Sequence, residues 1–369
     1  GEMGVGVAMR LQDLTEEQKK AYNQGWHRNA FNQYVSDMIS LNRNLPDYRF
    51  PECKNVTFRS DLPDVSIIIP FRDEAWSTLL RTIHSVLNRT PPKLLKEIIL
   101  SDDASTFVHL QKDLEEYLVH YPKVKLVRLK TRGGLIRTRL RGYDVSSGSA
   151  VIFLDSHCEV TKGWIEPLLD AIASDYRTVV TSVMDVIEGD DFRYRTYDIE
   201  KSAPIGIFDW RLIFKWDRKS YDKPRYLPVG SPTLIGCLIG VSRRFFEETE
   251  KFDEGFFIWG GENLEISFKA WMCGGSLVVS PCSHVGHVYK SRLPYDWGNT
   301  TQSKTLERNL HRLAETWLDD YVIYHKQVCG PCKEDIGDIS SKLALKKKLN
   351  CRNFEWYIKN IIPNMFIPG

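Results

Sequence analysis

The 369-residue chain has a formal net charge of +2, with 42% hydrophobic and 12% aromatic residues, the balance of a globular protein with ample material for a core. So even a charge excludes the basic excess of nucleic-acid or anionic-membrane binders, and no stretch approaches the roughly eighteen apolar residues of a membrane span. The start "GEMGVGVAMR" lacks a signal peptide's apolar region, so an anchor, where one exists, is expected outside this sequence.

In chain order, Leu14 to Leu45 reads as helical and peripheral. From Asp61 a β-α alternation begins: "VSIIIP" as a buried strand, a helix over 76–88 with Leu79, Leu80, Ile83, Val86 and Leu87 on one face, and "EIIL" as a second strand. A helical stretch from Val108 to His120, the strand "VKLVRL", the loop "KTRGG", a helix from Leu135 and the strand "VIFL" complete it. Such alternation predicts a mostly parallel sheet with helices on both faces. After Thr181 the pattern is less regular, but "WGGENLEISFKAWMCGG" reads as a glycine turn entering a helix that buries Leu264, Phe268 and Trp271. The expected organisation is a stem remnant and peripheral segment over 1–60, a catalytic unit over 61–325 with a nucleotide half (61–180) and a sugar and acceptor half (181–325), and a wrapping segment over 326–369.

Ligands of open α/β sheets sit beyond the carboxyl ends of the strands, where Asp102, Asp103, Arg132, Asp155 and His157 fall. In "VIFLDSHCEV" Asp155 and His157 are two apart in extended chain, so both can face one cleft. A carboxylate with an imidazole suits Mn²⁺ and softer ions better than Mg²⁺; the bland alternative is a turn-capping Asp and a packed His. "PCSHVGHVYK" offers His284 and His287 as a third ligand. Two His and one Asp also describe a non-haem iron triad, but those sites belong to double-sheet barrels. "SDDAS" places Asp102 and Asp103 where a nucleotide could bind, or where an Asx turn could form. Arg132 could hold a diphosphate, whereas Arg137, Arg139 and Arg141 read as a solvated helix face. "CGPC" at Cys329–Cys332 copies a redox motif in the wrong context, so a local disulfide is expected. Eight cysteines and acceptor sequons at Asn55, Asn88 and Asn299 fit an oxidising secretory compartment.

The segments "FRDEAWSTLLRTIHSVLNRTP", "EIILSDDAS", "RGGLIRTRLRGYD", "FLDSHCEV", "FDWRLIFKW", "WGGENLEISFKAWMCGGSL" and "PCSHVGHVYK" resemble the polypeptide N-acetylgalactosaminyltransferases, over about residues 45–355. The resemblance implies a GT-A α/β fold, UDP-N-acetylgalactosamine as donor, Mn²⁺ as cofactor, and Ser or Thr hydroxyls of proteins as acceptors. It also implies the Golgi lumen, as part of a type II membrane protein, without nucleic-acid partners. By the matching motifs, Asp155, His157 and His287 would bind the Mn²⁺. Asp103 and Arg132 would hold uridine and diphosphate, while Gly236, Trp259, Glu262 and Asn263 would border the sugar. Tyr295 would lie in a closing loop, and Lys290, with Glu262 and the metal set, would act in catalysis. Attack from the front face without a protein-bound sugar is implied, so no nucleophile is named.

This sequence departs from the family pattern at Lys290, where Arg is usual, at Cys237 and Ile207, which replace glycines and add bulk near the expected pocket, and at Val160. The family's usual lectin domain is absent from the sequence. A degenerate member that binds without turnover is the alternative these departures suggest. By the same resemblance Cys53 pairs with Cys282 and Cys273 with Cys351; with the local Cys329–Cys332 bridge, that leaves Cys158 and Cys237 as buried thiols.

Overall fold

The computed structural model describes residues 1–368. Helices α1 (Glu16–Asn29), α2 (Gln33–Met38) and α3 (Pro51–Asn55) precede strand β1 (Val65–Phe71) and α4 (Trp76–Arg89). The alternation continues through β2 (Leu95–Asp102), α5 (Lys112–Leu118), β3 (Val124–Arg128), α6 (Leu135–Asp144), β4 (Ala150–Leu154), β5 (Cys158–Val160), α7 (Glu166–Ser174) and β6 (Thr178–Ile187). Next come β7 (Tyr194–Arg195), the hairpin β8 (Ser202–Phe208) and β9 (Phe214–Ser220), β10 (Val229–Gly230), β11 (Leu238–Ser242), α8 (Arg243–Glu248), α9 (Glu262–Met272) and β12 (Ser276–Val288). Helices α10 (Gln302–Trp317), α11 (Val322–Cys329), α12 (Ser340–Lys348) and α13 (Phe354–Ile361) close the chain.

The main sheet runs β10-β12-β6-β11-β4-β1-β2-β3, with β5 on β12 and β7 on β6. β1 is parallel to β2 and β4, and β2 to β3. β11 runs antiparallel between β4 and β6, so β6 and its parallel neighbour β12 point the same way as β4. The carboxyl ends of β1, β2, β4 and β12 therefore meet along one edge, and that edge holds the site. The strands are nearly continuous apolar runs because both faces are covered: Leu79, Ile83 and Leu168 belong to the core on one side, and Leu140, Phe246, Phe268 and Trp317 to the core on the other.

The stretch from Val108 is broken, a single 3-10 turn preceding α5. Trp271 is only half-buried, its indole N–H donating to the Ser231 carbonyl at 2.9 Å. The N-terminal segment is not merely peripheral. Phe31 and Val35 are fully buried, and Arg43 sends Nε and Nη2 to Glu159 at 2.8 Å each, with Arg81 joining at 3.1 Å. The Cys53–Cys282 and Cys273–Cys351 disulfides are present, and Cys158 and Cys237 are buried thiols. The expected Cys329–Cys332 bridge is not: both are free, Cys329 facing His325 and Cys332 donating to the Glu334 carbonyl. No helix among the described residues is long and apolar enough to cross a membrane.

Candidate active site

β4 stops at Leu154, so Asp155 and His157 follow at the sheet edge, and the long β12 carries His287 there, opposite Cys158 of β5. One carboxylate oxygen of Asp155 and one ring nitrogen each of His157 and His287 lie within 4.8 Å of one another. His287 Nε2 is 3.6 Å from Asp155 Oδ2, and the two imidazole centroids are 4.7 Å apart. His284 is turned into the sheet interior, its Nδ1 2.9 Å from Asp185, so of the two candidate histidines only His287 reaches the cluster.

Behind His157 stands Glu74, whose Oε2 meets His157 Nδ1 at 2.8 Å and accepts the Ser156 hydroxyl at 2.9 Å. Burial pushes the Glu74 carboxyl up, but the charge of Lys290 and the interaction with His157 outweigh it and hold the group well below its ordinary range. Glu74 is thus an acceptor for the Nδ1 proton, which leaves the lone pair of His157 on Nε2. Burial, and then the Lys290 charge, lower the His157 imidazole to about 4 against the opposing pull of Glu74. The ring is neutral at pH 7, as a metal ligand must be. Two imidazole nitrogens and one carboxylate, with a carboxylate behind one histidine, fit a divalent transition ion.

Arg139 corrects the sequence reading. Of the three α6 arginines only Arg141 is exposed; Arg139 is fully buried. It shares the stripe of Ile136, Leu140 and Tyr143, at the spacing that faces the core. Its guanidinium donates to Glu262 Oε1 at 3.2 Å, Asp155 Oδ1 at 3.3 Å and the Gly236 carbonyl at 2.5 Å. One buried cation therefore joins the Asp155–His157–His287 cluster to the far side of the cleft. Burial raises the Asp155 carboxyl, but His287 and Arg139 together outweigh it and hold it below the ordinary value.

On one side of the cluster, Asp103 accepts the backbone N–H groups of Gly133 at 2.5 Å and Gly134 at 3.0 Å. Gly134 has φ +82°, and a Cβ there would lie 2.5 Å from the Ile258 Cα, so glycine alone lets the loop pass. Burial raises the Asp103 carboxyl despite these bonds. Arg132 lies beside it with a 3.4 Å ion contact to Asp296, but Nε and Nη1 make no aligned hydrogen bond. Asp102 does not face the cleft: it pairs with Arg128 and accepts the Ser105 N–H at 2.8 Å.

On the other side, Gly261 (φ +98°) opens α9 and places Glu262 and Asn263 at the cleft wall. Glu262 is 4% exposed, and its Oε2 has no partner. Asn263 Nδ2 donates to the Leu234 carbonyl at 3.0 Å, and a Cβ on Gly236 would sit 3.0 Å from Glu262 Oε1. Asp155, His157, Trp259, Lys290 and Tyr295 line both halves, making one continuous cleft. Lys290 Nζ is 3.6 Å from Glu74 Oε2 and 6.0 Å from the centre of the Tyr295 ring. Cys237 does line this space, but Ile207 does not; it packs against the hydrophobic core.

Glu74, Arg72 and Thr138 also line the cleft and escaped the sequence reading. Glu74 carried a usable signal, a carboxylate just past a buried strand in "IIIPFRDE", at the same edge as Asp103 and Asp155.

A family model described as "Glycosyl transferase family 2" matches residues 66–249, and one described as "N-terminal domain of galactosyltransferase" matches residues 220–292. Polypeptide N-acetylgalactosaminyltransferase 5 of Caenorhabditis elegans is 48% identical over 100% of this chain and 59% of its own length. Polypeptide N-acetylgalactosaminyltransferase 13 of Homo sapiens is 44% identical over 100% of this chain and 66% of its own. The chain thus spans about three fifths of the length of such curated relatives. The crystal structure of "GalNAc-T7 with UDP, GalNAc and Mn2+" superposes with a TM-score of 0.90 at 35% identity, over 99% of this chain and 68% of that one. Identity along the whole chain and a shared backbone lead to one conclusion: the chain belongs to the polypeptide N-acetylgalactosaminyltransferase family and has its GT-A glycosyltransferase fold.

Proposed function

We propose that the chain transfers N-acetylgalactosamine from UDP-N-acetylgalactosamine to Ser and Thr hydroxyls of polypeptides, with retention at the anomeric carbon, and so initiates mucin-type O-glycosylation. The observation that carries the proposal is the Asp155–His157–His287 cluster at the junction of the two halves of the cleft. The neighbouring structure's UDP, GalNAc and Mn²⁺ support the same assignment.

Asp155, His157 and His287 would hold the Mn²⁺, which when bound supplies positive charge to the diphosphate as it leaves. Arg132, with Nε and Nη1 free of aligned partners, and Lys290 face the same region as donors for phosphate oxygens. Asp103, fixed by two backbone N–H groups, offers its carboxylate to the uridine. Glu262 lines the cleft wall with Oε1 held by Arg139 and Oε2 without a partner, a geometry suited to orienting a sugar hydroxyl. Because that carboxylate is locked to a guanidinium, it is assigned as an orienting group and not as a nucleophile. Trp259 provides a flat wall, Tyr295 covers the cleft from the loop after β12, and Leu212, Phe214, Leu306 and Leu310 give the outer part an apolar lining for a peptide.

The two disulfides support a setting in an oxidising lumen, proposed as the Golgi. The competing reading, a member that binds nucleotide without turnover, rests on Lys290 and Cys237 in the cleft. UDP release from UDP-N-acetylgalactosamine in Mn²⁺, with and without a Thr-rich peptide, separates the two. Turnover that rises with peptide supports the transferase; saturable UDP binding with no release in either arm favours the binder.

A further inference from the structure

A second cluster of metal-ligating groups lies outside the cleft, between α10 and the loop after α11. A carboxylate oxygen of Glu307, a ring nitrogen of His311 and the sulfur of Cys332 lie within 4.8 Å of one another. Glu307 and His311 are four apart on α10 and so share a face. The "CGPC" stretch brings Cys332 to them, and the Lys333 N–H donates to Glu307 Oε1 at 3.0 Å, fixing the loop against the helix and leaving the second carboxylate oxygen available.

We infer that Glu307, His311 and Cys332 form a structural zinc site that fastens the α11 loop to α10. His311 is 2% exposed, and its Nε2 is buried without a hydrogen-bond partner. A buried, unpartnered imidazole costs stability unless something binds it. The neighbouring His325 shows the same want, its Nε2 also unpartnered and its ring 4.5 Å from that of His311.

Sulfur, nitrogen and oxygen donors together are the choice of Zn²⁺ rather than Mg²⁺ or Ca²⁺. Zinc bonds of about 2.0–2.3 Å hold tetrahedral ligand atoms about 3.3–3.8 Å apart, inside the 4.8 Å that bounds this cluster. Binding replaces the Cys332 thiol proton with the metal, and the proton passes to solvent. Cys329, at C-x-x-C spacing from Cys332 and with its sulfur 3.8 Å from His325 Nδ1, is the candidate for the fourth position; water fills it otherwise. Leu306 and Leu310 of the same helix line the cleft, so the site would steady one wall of it.

The test uses the full chain in which His157 and His287 are both alanine, so the catalytic cluster cannot contribute. The protein is incubated with Zn²⁺, freed of excess by gel filtration and assayed for metal by mass spectrometry, with and without Cys332→Ser or Glu307→Gln. Retention of about one zinc per chain, lost at least tenfold in Cys332→Ser, is the expected result, and Co²⁺ in its place gives a thiolate charge-transfer band that Cys332→Ser removes. Near-UV circular dichroism of each variant shows that loss of metal is not loss of fold. Absence of zinc from the folded parent, or a Cys329–Cys332 disulfide in non-reducing peptide maps of the zinc-treated protein, overturns the inference.

Discussion

Glu74 Oε2 stands 2.8 Å from His157 Nδ1, and Lys290 Nζ approaches the same oxygen at 3.6 Å. One buried carboxylate thus sets the tautomer of a histidine proposed as a metal ligand and positions a cation of the cleft. Glu74→Ala is expected to weaken Mn²⁺ binding by about 10–100-fold, read by paramagnetic resonance titration of free Mn²⁺. His157→Ala and His287→Ala are expected to abolish transfer outright, since each removes a ligand. An unchanged Mn²⁺ affinity in Glu74→Ala would leave the carboxylate without its assigned part.

Arg139 pairs with two carboxylates, Asp155 and Glu262, from a fully buried position. Arg139→Met keeps most of the volume but leaves Glu262 buried beside an apolar chain, and a broken buried pair costs about 3–5 kcal/mol. A melting temperature lower by several degrees is expected in calorimetry, together with loss of transfer. A variant melting with the parent while transfer fails would confine Arg139 to orienting Glu262 and Asp155.

Lys290 keeps a positive charge where the family pattern has Arg, but a compact ammonium cannot grip two phosphate oxygens as a planar guanidinium does. Lys290→Arg is expected to raise kcat/KM for the donor by up to about tenfold, worth about 1.4 kcal/mol in the transition state; Lys290→Ala should lower it by more. Steady-state kinetics decides. An equal or lower value in Lys290→Arg would mean that the space between Glu74, Phe31 and Tyr295 is fitted to lysine.

Much of the site was readable because strand ends are readable. "VIFLD" and "IILSDD" are apolar runs that stop at a carboxylate, and the parallel sheet carries both to one edge. The third ligand was harder. His284 and His287 are alike in sequence, and only the bulge between Ser280 and His284 in the β12–β6 pairing shows how the strand is set. Arg139 was misread because charge was given more weight than the Ile136–Leu140–Tyr143 spacing around it. Glu74 was missed although a carboxylate just past the buried strand in "IIIPFRDE" was a usable signal, because its partner His157 lies 83 residues away. The long-range disulfides came from family resemblance alone.

Glu159 is a buried carboxylate between Arg43 and Arg81. Burial raises its carboxyl, and the two guanidinium charges outweigh that and leave it below its ordinary value of 4.5. A lowered folded value contributes stability that is fully present above about pH 4.5 and lost as the pH falls below that through the folded value. Urea unfolding at fixed intervals from pH 7 to pH 3 should show this decline, and Glu159→Gln should be less stable at pH 7 with a flatter profile. A parent and variant with parallel profiles would exclude Glu159 as a source of the pH dependence.

The most direct test of the account is the product itself. The chain is incubated with UDP-N-acetylgalactosamine, Mn²⁺ and a peptide bearing a single Thr, and the peptide is analysed by mass spectrometry and nuclear magnetic resonance. The account predicts one N-acetylgalactosamine on that Thr in α linkage, formed with Mn²⁺ and absent both with chelator and in His157→Ala. A peptide left unmodified by protein that binds UDP and Mn²⁺, or a product in β linkage, would contradict it.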